Sequence, residues 1–285
     1  SDGTWKYDTK WVGGPQEGGK LGEITAYIQD HIFRDNADVK KYANTLVDEV
    51  GKLYGPGLAD EMNPATGKTY KTSDGWKPIE EGDVCWKDLD GDGKITTYDQ
   101  KVIGNVYPNV TGGFSTTFAY KGISLYMRFD YACGHTLYND LMARSLGQYQ
   151  GQFNVITKVK DTWSENNRDA SLPKFYYADQ LAKYNITRAK NANLALNGNS
   201  SRFYEKADYL AGREITLSYQ FPKNLINKIH LSDASVYITG QNLFYITGYS
   251  GTSPEPAVTG TNAVGVDDGR YPTPRTFLFG LSLSF

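Results

Sequence analysis

TFLFGLSLSF, residues 276–285, places Phe277, Phe279, Leu281, Leu283 and Phe285 on one face of an extended chain, and Gly280, Ser282 and Ser284 on the other. Leu278 is the only large apolar side chain on the polar face. Successive side chains of a strand point to opposite sides, so the five large groups form an unbroken apolar stripe that must be covered either by protein or by lipid. A stripe that runs out to a terminal aromatic residue suits the closing strand of an outer-membrane barrel, in which apolar-out and polar-in residues alternate. Terminal residues of soluble domains are more often solvated. An amphipathic edge strand would carry the same pattern, so the rest of the chain decides.

The chain has 285 residues, 39% of them hydrophobic, and a mean hydropathy of −0.53. No run of about 18 apolar residues is present, which excludes a transmembrane helix but not transmembrane strands, whose polar half hides them from window hydropathy. The 22 Tyr, 12 Phe, 5 Trp and 30 Gly suit strands with interfacial aromatics and tight turns. A net charge of −2 with signs interspersed provides no basic stripe and argues against a nucleic-acid partner. The two cysteines, Cys85 and Cys133, leave room for one disulfide at most and exclude a disulfide framework. SDGTWKYDTK at the start has no apolar signal segment, the pattern of a processed chain or a fragment.

Alternating segments recur along the chain. Phe114–Tyr120 and Ile123–Tyr131, joined by Lys121-Gly122, read as a hairpin with a two-residue turn. Arg128 and Asp130 on the face opposite Ile123, Leu125, Met127, Phe129 and Tyr131 require that face to be wet, like a barrel lumen. Ile215, Leu217, Tyr219 and Phe221 alternate with polar residues until Pro222 ends the strand. Ser235–Ile246 is a further strand whose phase is lost at Gly240–Leu243, which predicts a bulge. Glu23–Phe33 is a sixth strand candidate. Between these lie long segments at about 34–109, 134–202 and 248–274. Short turns at one end and long loops at the other are expected of a barrel with periplasmic turns and extracellular loops. Within the loops, Asp38–Lys52 has helical spacing, with Asp38 as cap and Gly51 as stop, and Asn139–Thr162 contains a second helix candidate.

One segment carries chemistry in its spacing. Asp88, Asp90 and Asp92 occupy positions one, three and five of an EF-hand-type calcium loop, Gly93 the sharp turn at six, Lys94 the backbone carbonyl at seven, Thr96 position nine and Asp99 position twelve. Hard divalent cations need six or more oxygens, and this spacing wraps them about one point. Asp replaces the usual Glu at position twelve, so the shorter arm predicts a weak calcium or magnesium site. The flanks do not read as EF-hand helices, which favours an ion that stiffens a loop over a calcium switch. His31, His135 and His230 stand in no metal-spaced pair and read as surface or structural residues. Asp267-Asp268 before Gly269 reads as a solvated turn, and no catalytic fingerprint is present.

Gly82–Gly122, with its DGDG loop followed by Gly-Asn, Pro and a Gly-Gly-Phe strand start, resembles the hallmark of SusC/RagA-like TonB-dependent transporters. Gly240-Gln-Asn-Leu-Phe244, Thr247–Gly251, Pro254-Glu255, Tyr271-Pro272, Arg275 and the Phe285 tail resemble that family's C-terminal signature. The resemblance covers about residues 82–131 and 203–285. The chain departs from the pattern at Ala211-Gly-Arg-Glu214 and at Ser253. The resemblance implies an all-β fold, with residues 1–285 forming the C-terminal part of a large transmembrane antiparallel barrel and 82–109 an acidic loop within it. It further implies TonB-dependent import of glycan or peptide oligomers across the bacterial outer membrane, no enzymatic activity, a SusD-like surface lipoprotein as partner, and TonB coupling through a plug and TonB box that lie N-terminal in such proteins. About six strands cannot close a barrel alone. The rival reading is a secreted calcium-stabilised β-sandwich that binds carbohydrate through Trp76, Trp86 and Tyr249.

Overall fold

The computed structural model describes residues 18–146, 155–176, 200–255, 265–269 and 271–285. The chain divides into two compact units. One takes residues 107–137, 205–256 and 269–285; the other takes 1–106, 138–204 and 257–268. The long connections between the alternating segments thus fall largely into one unit, and the alternating segments themselves into the other.

The strand-rich unit is built on a five-stranded antiparallel sheet in chain order: Val110–Tyr120, Ile123–Cys133, Tyr209–Gln220, Asp233–Thr247 and Thr276–Ser284. Most are long enough to cross a bilayer at a tilt, about 9–11 residues. Among the described residues the sheet is open rather than closed into a barrel. Lys121 and Gly122 both have positive φ, 48° and 87°, the twist that lets a two-residue turn follow the twist of its strands. Gly122 is required there twice over, because a Cβ would also stand 2.8 Å from the Gln220 carbonyl oxygen.

Register fixes which side chains share a face. Phe118, Leu125, Leu217, Ile238 and Phe279 are paired across all five strands, and beside them Tyr120, Ile123, Tyr219, Val236 and Leu281. None of the described residues covers this face: Phe118 is 61% exposed, Phe279 79% and Leu281 63%. On the opposite face the rows read Thr117, Tyr126, Thr216, Thr239, Leu278 and Ser115, Arg128, Glu214, Gln241, Thr276, with the Thr216 and Thr239 hydroxyls bonded at 2.8 Å.

The bulge expected at Gly240–Leu243 is there. Glu214 pairs with Gln241 and Gly212 with Phe244, so Asn242 and Leu243 stand against the single residue Arg213. Arg213 is itself extra relative to the Ile123–Cys133 strand, since Arg128 pairs with Glu214 and Phe129 with Gly212. Asn242 takes φ of 52° to make the kink.

In the other unit the sixth strand candidate splits. Glu23–Tyr27 pairs with Gln100–Asn105, and Gln29–Ile32 with Val84–Trp86, so neither belongs to the long sheet. The helix expected over Asp38–Lys52 runs only from Asn36 to Ala43. Asp35, not Asp38, is its cap, accepting from the Asp38 amide at 2.9 Å. It stops early because Val47-Asp48 is drawn into a small sheet between Leu53-Tyr54 and Lys94-Ile95. The three-and-four spacing of Val39, Ala43 and Leu46 records burial against Phe33, Leu53 and Ile79, which continues after the helix ends. Of the Asn139–Thr162 candidate, Asp140–Ser145 is α-helical and Thr157–Asp161 a 3-10 helix; residues 147–154 lie outside the described ones. Asp267 is not in a solvated turn but buried, bridged in parallel to Asn139. Cys85 and Cys133 are both unpaired.

The hairpin turn yields the first prediction. Gly122→Ala, forced into the left-handed region and against the Gln220 carbonyl, should lower stability by about 1–2 kcal/mol, read as a lower urea midpoint, whereas Lys121→Gly should leave stability within about 0.5 kcal/mol of the parent.

Candidate metal loop and polar sheet face

The acidic loop is held by its own carboxylates. Asp88 accepts from the Gly91 amide at 2.7 Å and the Gly93 amide at 2.9 Å, Asp90 from Asp92 at 3.2 Å and Asp92 from Lys94 at 2.8 Å. Gly93 sits at φ of 77°, as the sharp turn at position six requires. Lys94-Ile95 then pairs in parallel with Val47-Asp48, and the Lys94 ammonium reaches Glu49 at 3.3 Å. Thr96 caps a short 3-10 turn, Thr97–Asp99, by accepting from the Tyr98 amide at 3.2 Å. Asp99 folds back underneath, taking the Leu89 amide at 2.8 Å and the Thr96 amide at 2.6 Å on its two oxygens.

The loop gathers Asp88, Asp90 and Asp99, whose ligand atoms lie within 4.8 Å of one another. Asp92 lies outside that group, turned to the Lys94 amide. Asp99 is fully buried. Burial raises its carboxyl above the ordinary range, the neighbouring Asp88 and Asp90 add to the rise, and the Thr96 and Leu89 amides oppose it. The donors are all hard oxygens, as calcium and magnesium demand, and the crowding of negative charge about a buried carboxylate is what a cation would relieve.

The aromatic residues of the rival reading fall elsewhere. Trp86 is buried against Tyr27, ring centroids 6.3 Å apart. Tyr249 is buried with Leu137 and Ala207. Both are core residues, so neither offers a face to a sugar ring. Trp76 is half-buried, edge-on to Tyr70 at 5.4 Å.

The polar face of the sheet holds a cluster that periodicity alone does not reveal. The extra residue Arg213 binds Asp130 and Glu255 through its guanidinium and reaches the Tyr245 hydroxyl at 3.0 Å. Arg128 stands 3.8 Å from Glu214 beside it. A bulge sets neighbouring residues on one side of a strand, and here it brings Arg213 and Glu214 to the face that carries Arg128 and Asp130. The sequence signal was the Ala211–Glu214 departure from the family pattern.

A sheet of long strands with an apolar face outward and this charged, cross-linked face behind it resembles a wall of an outer-membrane barrel. Comparison with known proteins finds similarity to TonB-dependent receptors. TonB-dependent receptor P3 of Formosa agariphila is 28% identical over 212 residues, covering 72% of this chain and 19% of that protein. TonB-dependent receptor SusC of Bacteroides thetaiotaomicron is 28% identical over 214 residues, 73% of this chain and 18% of SusC. The structure of the RagAB peptide transporter shares the fold over 72% of this chain and 21% of that chain, with a TM-score of 0.53 at 24% identity. No family model matches. The chain is thus similar to SusC/RagA-like TonB-dependent transporters, and spans about one fifth of the length of the relatives it matches.

Because the raised Asp99 carboxyl holds its proton more tightly folded than unfolded, and no cation offsets its charge in chelator, its contribution to stability falls as pH rises from the ordinary carboxylate value through its folded pKa. Asp90→Asn keeps an acceptor for the Asp92 amide and removes a repelling charge. In chelator at pH 7 it should raise thermal stability, by about 0.5 kcal/mol, and flatten the pH dependence seen in a melting series.

Proposed function

We propose that this chain forms part of the barrel wall and loops of an outer-membrane, TonB-dependent importer of the SusC/RagA kind, taking up glycan or peptide oligomers with a SusD-like surface lipoprotein. The observation that carries the reading is the row Phe118, Leu125, Leu217, Ile238 and Phe279 in register across a face that none of the described residues covers. Such a row is at home against lipid, with the Arg213 cluster and the threonine pairs on the lumenal side. The open edges of the sheet would be paired by further strands, since unpaired backbone groups are very costly in hydrocarbon. A transporter of this kind performs no bond chemistry; its polar wall and loops bind and release. The sandwich reading loses ground, because its apolar face would have to be covered from within and two of its three aromatic contacts are core residues.

The acidic loop belongs to the same proposal. Asp88, Asp90 and Asp99, with Asp92 and Thr96 beside them and the Lys94 carbonyl, would hold one calcium or magnesium ion on the extracellular side, where even a weak site is filled. The ion would stiffen the loop by cancelling the repulsion among the carboxylates.

Single cysteines test the wall. In reconstituted membranes, probes at Phe279→Cys and Leu217→Cys should be quenched by lipid-phase quenchers, and Ser282→Cys and Thr216→Cys should react with a membrane-impermeant maleimide through the lumen. Equal aqueous reactivity at all four positions would sink the barrel reading. Leu283→Arg should cost about 2–4 kcal/mol if it lies near the bilayer midplane. For the loop, calcium titration should give heat and reduce proteolysis around residues 80–105, and Asp90→Ala with Asp92→Ala should abolish both while the long sheet is unchanged. Absence of heat, with equal proteolysis in chelator, would leave the DGDG segment as a turn only.

A further inference from the structure

Two connections join neighbouring strands at the turn end of the long sheet, and they are built differently. Lys121-Gly122 reverses the chain between Tyr120 and Ile123 with the two residues of a tight hairpin. The other, residues 221–232 between Gln220 and Asp233, folds into a structure of its own. Lys223–Ile226 is a turn of α-helix and Asn227–Ile229 a 3-10 turn. The Pro222 carbonyl starts it, accepting from the Leu225 amide at 2.9 Å. His230 ends it at φ of 60°, a left-handed cap that lets the Leu231 amide return to the Ile226 carbonyl at 3.2 Å.

Register fixes the side of the sheet on which this connection lies. The Phe221 amide donates to the Ala234 carbonyl, and Ala234 pairs with Leu283, one pleat beyond Tyr219, Val236 and Leu281. Phe221 and Ala234 therefore belong to the apolar face. Ile226 is buried with Leu231 and Ala234, and Phe221 packs against them, so the connection curls onto that face and extends it. Leu225 is 54% exposed and Ile229 65%. Residues 221–232 include Lys223 and Lys228 and no acidic side chain, and both lysines are exposed. The next carboxylate along the chain, Asp233, is bonded to the Gln220 side-chain amide. Tyr120 and Tyr219 stand at the same end of the apolar face, and rings with a polar tip suit the boundary between hydrocarbon and headgroups.

We propose that Leu225 and Ile229, with Lys223 and Lys228, form a foot that dips into the periplasmic leaflet and binds anionic phospholipid, the two apolar side chains entering among the first acyl carbons and the two ammonium groups reaching lipid phosphates. The inference rests on the barrel reading. Segments that combine exposed Leu or Ile with Lys lie in the plane of the membrane interface, and a lysine stem runs along apolar surface while its head stays at the phosphate level. With two cations and no acid of its own, residues 221–232 favour an anionic headgroup over a zwitterionic one. A soluble protein is the poorer occupant, because the exposed pair continues a face that already meets lipid, and anything covering it would itself sit in the headgroup layer. Two residues suffice to join antiparallel strands; the longer connection adds an anchoring surface.

Fluorescent labels at Leu225→Cys, Ile229→Cys and Phe279→Cys, each in a Cys85→Ala, Cys133→Ser background, test this in the intact protein reconstituted in vesicles of phosphatidylcholine and phosphatidylglycerol. All three positions are exposed, so a label disturbs no core. The Phe279 label reports the wall and the other two the foot. The foot labels should be shielded from iodide and quenched more by a nitroxide near the lipid glycerol than by one at the chain end. At low salt, half-quenching should take about 5-fold less nitroxide-labelled phosphatidylglycerol than phosphatidylcholine for each lysine engaged. Lys223→Gln with Lys228→Gln should remove that preference, as should about 1 M salt, where the screening length falls to about 3 Å; neither should change the Phe279 signal. Foot labels open to iodide, with Phe279 still quenched by lipid, would overturn the foot and leave the wall standing. Foot labels shielded from iodide and nitroxide alike would mean that protein covers the surface, which overturns the proposal equally. So would an equal response to the two lipids that the lysine substitutions do not alter. Loss of lipid quenching at all three positions would remove the barrel reading and the foot with it.

Discussion

Cross-strand register ties Phe118, Leu125, Leu217, Ile238 and Phe279 into one row and Tyr120, Ile123, Tyr219, Val236 and Leu281 into the next, and the rest of the sheet is arranged around that constraint. A slip of one residue in any strand would turn its large apolar groups onto the face of Arg128, Asp130 and Arg213. Leaving two such rows half in water forgoes on the order of 10 kcal/mol of burial, as much as the whole net stability of an ordinary domain. An aqueous medium therefore makes this face a liability, and a hydrocarbon one makes it the natural outer surface. The turn at Lys121-Gly122 sets the register of the first pair.

Bulges do the complementary work on the polar side. Arg213 is one residue too many for its neighbour strand, and that surplus delivers its guanidinium to Asp130, Tyr245 and Glu255. A second slip, at Asp30, brings Asp30 and His31 together opposite Cys85. In both places an irregularity in the ladder collects polar groups that regular alternation would have separated. In the acidic loop the same concentration of charge is achieved by turns, with the backbone amides of Leu89, Gly91, Asp92, Gly93, Lys94 and Thr96 bonded to four carboxylates.

Patterns of period two were legible from residues alone. The hairpin at Lys121-Gly122, the stop at Pro222, the kink near Asn242 and the two faces of the terminal strand follow from alternation and turn chemistry, which are local. The helical pattern of Asp38–Lys52 misled beyond Ala43, because a period near 3.6 reports which residues are buried and not what backbone buries them. Past Asn44 the burial is supplied by a sheet formed with Leu53-Tyr54 and Lys94-Ile95. Trp86 and Tyr249 misled for a related reason: an aromatic residue in a polar stretch looks available until its neighbours in space are known.

The sequence by itself determined the all-β character, the sidedness of the strands and the carboxylate spacing of the acidic loop, since all three depend on residues within about a dozen positions of one another. Tertiary structure alone decided that Asp99 turns inward while Asp92 stays out, that Glu255 completes the Arg213 cluster from 42 residues away, and that His31 meets Cys85 across a strand pair. The last two of these contacts close loops of tens of residues. Their partners are chosen by which strands pair and in what register, and that choice is made by the burial of many side chains together rather than by the residues that end up touching.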